Sequence, residues 1–291
     1  MKSYKYPFVS IIIPHYNTPK LLQRCLDTIP EDNNIQVIVV DDNSSIQTVD
    51  FDHFPGLERQ NVQVLFNKNN KGAGHARNIA LKEAKGKWLL FADSDDYFVS
   101  GFLDTLSYYF NSEHDMILFK AESVDSETLE HAERNERINK NIDLALNNEI
   151  TSREASLNVQ SPWCRLIRRE FVEQNAIIFD EVMASNDTMF TTKASCLAKS
   201  IGLSPEIIYV VTYRKGSLWD SRKTNPDNYL TRLNVQIDRN KFVKQYGYKQ
   251  LPLLSYLYHA YEINLSTFFK VFWILISRGV LFQGIFTYFR Q

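Results

Sequence analysis

Asp93, Ser94, Asp95 and Asp96 place three carboxylates in four consecutive positions. Like charges this close repel one another and depress stability unless hydrogen-bond donors or cations offset them. A hard divalent cation does this well, because Mg2+ or Mn2+ takes oxygen ligands and completes its shell with water and substrate phosphates. The chemistry the cluster offers is the holding of a diphosphate. The plainer reading is a strand end whose acidic turn caps the helix beginning near Gly101. A second acidic turn, Asp41 and Asp42, weighs against that reading, as does a glycine-containing loop, Asn70, Lys71, Gly72, Ala73 and Gly74, ahead of the fixed cation Arg77.

These residues need a scaffold that brings them together. Val9, Ile11, Ile12 and Ile13 make residues 8–14 a nearly continuous β-branched run, the pattern of a strand covered on both faces of a parallel sheet. Thr18 followed by Pro19 starts a helix, with Leu21, Leu22, Cys25, Leu26 and Ile29 at helical spacing. Further strands are expected at 35–40, 62–66, 88–92 and 115–120, with helices at 76–84 and 102–110. Strands alternating with helices predict an α/β, Rossmann-like, mainly parallel sheet flanked by helices. In such a sheet the strand C-termini border one crevice, so the two acidic turns and the glycine loop converge on one site. Residues 121–148 are charged with little apolar periodicity and read as a loop or excursion, and 207–213 reads as a late strand. The expected division is 1–120 as the nucleotide-binding half, 121–225 as the acceptor-side half of the same domain, and 226–291 as a helical, aromatic-rich extension.

Thirty-three basic residues against 34 acidic ones leave a formal charge of -1, without the broad positive field of a nucleic-acid binder. An anionic ligand must therefore be caught locally. Cys25, Cys164 and Cys196 form no C-x-x-C pair and read as reduced core thiols, as in a cytoplasmic protein. The first apolar stretch stops at Pro14, too short for a secretory signal. Past residue 251 the chain is crowded with aromatics, yet its longest unbroken apolar run, 271–276, falls far short of the roughly 20 residues of a spanning helix. Lys270, Ser277, Gly284 and Gln291 fall at heptad spacing and leave a narrow polar stripe on an otherwise apolar helix. Two placements are open to it: packing within the protein or against a second copy, and peripheral contact with the inner face of a membrane.

With these segments in view, the sequence resembles the inverting family 2 glycosyltransferases of the GT-A fold. Val9, Ser10, Ile11, Ile12, Ile13, Pro14, His15, Tyr16 and Asn17 look like the family's opening strand and donor loop. The stretch 37–44 is similar to its second strand, usually ending Asp-Asp-Gly-Ser, with Asn43 in place of the glycine; both residues tolerate a left-handed backbone. Residues 70–81 match Asn-x-Gly-x-x-x-Ala-Arg-Asn-x-x-Leu, and Asp93, Ser94 and Asp95 match the Asp-x-Asp metal motif. The resemblance implies a nucleotide-sugar donor, a UDP-sugar by the family's common base, and Mn2+ or Mg2+ as cofactor. It implies Pro14, Tyr16, Asp42, Arg77, Asp93 and Ser94 on the donor, with Tyr16 against the uracil ring and Asp42 on its edge. Asp95 is the first choice of direct metal ligand, with Asp93 beside it. Independently of family, Tyr16 offers a stacking face and Arg77 a cation.

The likeness continues through Pro162, Trp163, Cys164, Arg165 and Leu166, and then through Asn186, Asp187, Thr188, Met189 and Phe190, which resembles the Glu-Asp-x-x-Phe element whose aspartate is the family's general base. Asp187 is thus the expected catalytic base, with Asn186 in place of the usual glutamate; the plain alternative is a helix N-cap. No Gln-x-x-Arg-Trp motif of the processive synthases is found, which favours transfer of a single sugar to a glycan or lipid-linked glycan acceptor in surface polysaccharide or glycolipid synthesis. Two readings compete with this one: a dinucleotide oxidoreductase, which fails because glycines do not follow the first strand, and a catalytically inactive glycosyltransferase-like binding domain.

Overall fold

The computed structural model describes residues 7–216 and 224–284. The chain opens with β1 (Val9–His15), α1 (Pro19–Asp27), β2 (Ile35–Asp42), β3 (Val62–Asn67), α2 (Ala73–Glu83) and β4 (Trp88–Phe91). There follow β5 (Tyr97–Phe98), α3 (Phe102–Ser107), β6 (Met116–Asp125), α4 (Glu136–Leu146), α5 (Ser152–Asn158), β7 (Arg165–Arg168), α6 (Arg169–Gln174), α7 (Thr188–Leu197) and β8 (Ile201–Tyr213). Three helices end the described chain: α8 (Pro226–Gln245), α9 (Ser255–Ile263) and α10 (Leu265–Ser277).

One eight-stranded sheet has the order β3-β2-β1-β4-β7-β6-β8-β5. Its first four strands are parallel, as the unbroken apolar runs of β1, β2 and β4 require. Val9, Ile11, Ile12 and Ile13 are fully buried, as are Val37, Ile38, Val39 and Val40. Each such side chain contributes about 1.5–3 kcal/mol on burial, which fixes these strands at the centre of the sheet. The reversal comes at β7, antiparallel to both β4 and β6, while β8 returns parallel to β6. The register sets His15 opposite Asp41 and Ile12 opposite Phe91, so β1, β2 and β4 finish side by side.

The fold is the α/β GT-A arrangement expected, with differences in detail. The expected loop at 121–148 instead holds the end of β6, through Asp125, and helix α4. Alternating burial continues β6, and Ile138, Asn141, Ile142 and Ala145 give α4 a buried face that the surrounding charges obscured. The short strands β5 and β7 were not anticipated; two and four residues carry too little periodicity to register. Helix α3 is separated from the acidic turn by β5 and begins at left-handed Gly101, so Asp93 to Asp96 do not cap it. Thr18 precedes Pro19 at the start of α1 but makes no side-chain cap; its hydroxyl lies 3.3 Å from that of Ser94.

The tail departs most from expectation. It folds as two helices, broken at Asn264, whose side chain caps α10 through the Thr267 amide. Helix α10 stops at Ser277, with left-handed Gly279 just beyond, so Gly284 is not on it and Gln291 lies outside the described residues. Tyr229, Leu233 and Ile237 of α8 join Ala260, Val271 and Leu275 in a small core of their own, distinct from the core around the sheet. No described helix is long and apolar enough to cross a membrane. The three cysteines are buried and unpaired, as read from their spacing.

Candidate active site

The ends of β1, β2 and β4 carry the expected residues to one edge of the sheet. Pro14 is buried within β1 and Tyr16, just past it, is half exposed. His15 Nε2 accepts from the Thr18 amide at 3.1 Å, which leaves Nδ1 as the donor to Asp41 Oδ1 at 2.7 Å. Asp41 also accepts from the Ser44 hydroxyl at 2.5 Å and its amide at 2.9 Å, and the Ser44 hydroxyl in turn accepts from the Asn17 amide. Asn17 and Asn43 take the left-handed backbone, the conformation expected where Asn43 replaces glycine. This buried network locks the two loops together. Burial alone would raise the Asp41 carboxyl, but the bonds from His15 and Ser44 outweigh it and hold it below its ordinary value.

Asp42 is buried and engaged. Its Oδ2 accepts from the Gly72 amide at 2.6 Å, and its Oδ1 accepts from Asn67 Nδ2 at 2.8 Å and, at 3.4 Å, from the Lys71 amide. The second strand is thereby tied to the glycine loop. Gly72 has a φ of 89°, closed to most side chains, and Gly74 lies so near the Asp180 carbonyl that a Cβ would stand 2.1 Å from that oxygen.

That close approach lets α2 reach the segment carrying Asp187. Asn78 works as a backbone mimic: its Oδ1 accepts from the Phe179 amide and its Nδ2 donates to the Phe179 carbonyl, both at 2.9 Å. Arg77 is buried, with its guanidinium 5.3 Å from the centre of the Phe179 ring. It donates to Asp93 Oδ1 at 2.5 Å and to Asn186 Oδ1 at 2.8 Å. One side chain thus joins the acidic turn after β4 to the start of α7. Asn186 stands where the resemblance places a glutamate, and its neutral amide oxygen takes one arm of Arg77 while Asp93 takes the other. Asp187 follows directly; it makes no capping bond to α7, so the plain N-cap role is not what its side chain does. Loss of solvent raises the Asp187 carboxyl, with Arg77 opposing and Asp93 adding to the rise.

Within the acidic turn the three carboxylates differ. Asp93, Asp95 and Asp96 each bring one oxygen within 4.8 Å of the others. Asp96 is fully buried and accepts from the Thr212 amide at 2.7 Å and the Tyr209 hydroxyl at 3.0 Å; that hydroxyl accepts from the Asp93 amide at 2.8 Å. Asp93 and Asp95 are partly exposed. Burial, then the charges of Asp95 and Asp93, push Asp96 well above the usual carboxylate range, and burial followed by Asp93 raises Asp95. Oxygen donors in surplus, two of them open to the cleft, fit a hard divalent cation, with Asp95 and Asp93 as the residues that would hold it.

Several participants escaped the sequence reading. Arg24 donates from α1 to the Asp95 carbonyl at 2.6 Å, and Thr212 Oγ1 donates to the same oxygen at 2.8 Å. Arg214, at the end of β8, has Nη2 3.8 Å from Asp95 Oδ2. Trp163 stacks on Tyr209 with centroids 5.5 Å apart, supporting the phenol that orders the turn. Buried Arg165 donates to the Ser156 hydroxyl and carbonyl; burial lowers its pKa to about 10, which leaves it a structural cation.

Residues 10–175 match the model of glycosyl transferase family 2, and the chain belongs to that family. Among curated proteins it is similar to the poly(ribitol-phosphate) beta-N-acetylglucosaminyltransferase TarS of Staphylococcus aureus, 28% identical over 228 residues that take in 76% of this chain and 38% of TarS. It is also similar to a poly(ribitol-phosphate) beta-glucosyltransferase of Bacillus spizizenii, 29% identical over 76% of this chain and 35% of that protein. The chain thus spans little more than a third of the length of either relative. A solved structure of TarS with UDP superposes with a TM-score of 0.58 at 25% identity, covering 79% of this chain and 64% of that one. A mannosyltransferase of Pyrobaculum calidifontis solved with GDP-Man and Mn2+ shares the fold, with a TM-score of 0.56 and 16% identity over 94% of this chain and 76% of that one.

Proposed function

We propose that the chain transfers a single sugar from a UDP-sugar to an acceptor hydroxyl with inversion, in the synthesis of a surface polysaccharide or glycolipid. The observation that carries this is Arg77, which ties Asp93 on the donor side to the Asn186 and Asp187 segment on the acceptor side. A shared clamp of this kind holds two catalytic groups in fixed relation. The TarS relative was solved with UDP and with UDP-GlcNAc, which supports uridine in the donor.

In this reading, residues 1–120 form the donor half, 121–225 the acceptor side, and 226–291 an extension. Tyr16 stacks on the base, Asp42 and the glycine loop border it, and Pro14, Arg77, Asp93 and Ser94 line the donor. Asp95 with Asp93 would hold a divalent cation, Mn2+ or Mg2+, which when bound would offset the negative charge of the diphosphate. Asp187 takes the proton of the acceptor hydroxyl as that oxygen bonds to the anomeric carbon and the carbon–phosphate oxygen bond breaks. The diphosphate leaves with the bonding electrons, and attack from the opposite face inverts the anomeric centre.

Asp187→Asn removes the base while keeping the shape, so transfer should fall by on the order of 10²–10⁴-fold with UDP affinity unchanged. Because Asp187 is raised by its loss of solvent, the acidic limb of kcat/KM should lie above the ordinary aspartate value of about 3.9. Near-normal turnover in Asp187→Asn would assign the base elsewhere. UDP binding in the wild type without turnover of any donor across a broad panel would favour the inactive binding domain.

A further inference from the structure

Helix α10 is apolar on two opposite faces. Thr267, Val271 and Leu275 turn inward to the small core. Leu265, Phe269, Phe272, Trp273 and Ile276 turn outward, from 39% exposed at Phe272 to 70% at Trp273. Their spacing of three and four residues makes one continuous stripe along the helix. Tyr261 of α9, itself 63% exposed, extends the patch: its ring meets Phe268 at 6.2 Å, and Phe268 meets both Phe269 and Phe272. Soluble proteins seldom leave large contiguous aromatic patches to water without a partner.

The charges say which partner. Lys270, exposed on α10, borders the stripe together with Ser266 and Ser277, and exposed Arg278 follows the helix. From residue 263 to the last residue the sequence carries Lys270, Arg278 and Arg290 and no acidic residue, although the whole chain is balanced at -1. The nearest preceding acid, Glu262, is bridged to His259 at 2.8 Å. Tryptophan and tyrosine beside lysine and arginine, on a helix too short to span, match the chemistry of a bilayer's headgroup layer. Protein interfaces, by contrast, deplete lysine around their apolar centre.

We propose that the outer face of α9 and α10 binds the interface of an anionic lipid bilayer, with Phe269 and Trp273 inserted at the headgroup level and Lys270 and Arg278 on lipid phosphates. The site would hold the catalytic cleft at a membrane surface. It requires no nucleotide, so it stands or falls separately from the donor assignment.

Flotation of the 291-residue chain with vesicles of equimolar phosphatidylglycerol and phosphatidylcholine, against phosphatidylcholine alone, tests it. The chain should float with the anionic vesicles. The double variant Phe269→Ser, Trp273→Ser should lose at least about tenfold in partitioning with its melting temperature kept, since both side chains face outward. Lys270→Gln with Arg278→Gln should lose about fivefold per charge and with it the preference for phosphatidylglycerol. A measurement on the wild-type fold guards against a variant that unfolds: brominated lipid should quench tryptophan emission, and Trp273→Phe should remove the quenched component. Failure to float with either vesicle overturns the proposal. So does equal partitioning of the aromatic double variant, or a stable wild-type dimer that this variant disperses, which would make a second copy the occupant.

Discussion

The two acidic turns solve the same electrostatic problem in opposite ways. After β2, Asp41 is surrounded by donors: His15 Nδ1, the Ser44 hydroxyl and the Ser44 amide. Its partner Asp42 accepts from Asn67 and Gly72. The chain itself offsets both charges, and the turn serves as a rigid wall. After β4, Asp93 has Arg77, and Asp96 has Tyr209 and Thr212, but each carboxylate also faces two others. Asp95 has Arg214 at 3.8 Å and the more distant charge of Arg134 to set against Asp93. The first turn is complete as folded, whereas the second keeps three carboxylates within 4.8 Å of one another.

Arg77→Met should break this contrast most strongly. It strips the second turn of its closest cation and frees the Asp187 segment, losing the hydrogen bonds to partly exposed Asp93 and to buried Asn186, which at about 1.5–3 kcal/mol for each charged bond amounts to about 3–5 kcal/mol. Chemical denaturation would measure the loss, and a cost near zero would mean that Arg77 spans the two halves without holding them. His15→Ala attacks the first turn instead. It should cost about 2–3 kcal/mol by leaving Asp41 buried with fewer donors. The same change should shift acid unfolding upward. In the wild type the folded Asp41 carboxyl is depressed, so its contribution is full above the unfolded value of about 3.9 and drains away as pH falls below it. Without His15 part of that depression disappears, and with it part of the resistance to acid. An unchanged acid midpoint would show that Ser44 alone sets the Asp41 carboxyl.

The smallest effect is expected at Asp96→Asn. One lost acceptor is balanced by relief of repulsion from Asp93 and Asp95, so stability should change by less than about 1 kcal/mol. Metal affinity should fall by less than about tenfold, because Asp96 is committed to Tyr209 and Thr212. A loss as large as that of Asp95→Ala would make Asp96 a ligand.

β1, β2 and β4 were legible because they are buried on both faces, β1 and β2 as β-branched runs and β4 as the apolar run from Trp88 to Phe91, and because each ends in polar residues that cannot continue it. The site was legible wherever side chains of unusual charge density sat at those ends. What the sequence hid were the supports. Tyr209 and Thr212 reach Asp96 from 113 and 116 residues away, a relation fixed by β8 lying beside β6 and β5. Nothing in the spacing of α1 marks Arg24, and only the packing of that helix brings it to the Asp95 carbonyl. Helix α4 was missed because its buried face is interrupted by Asn141, a polar residue that donates to the Arg137 carbonyl and accepts from Asn158. The tail's apolar character was plain, but an outward-facing apolar stripe and an inward core read alike without the break at Asn264.

The proposed function requires that the turn of Asp93, Asp95 and Asp96 be completed by a cation that carries a nucleotide diphosphate. Calorimetric titration with UDP and with GDP, each with and without Mn2+, in the wild type and in Asp95→Ala, tests it most directly. UDP binding should require Mn2+ in the wild type and be lost in Asp95→Ala. Binding of UDP that is indifferent to Mn2+, or that survives in Asp95→Ala, would contradict it.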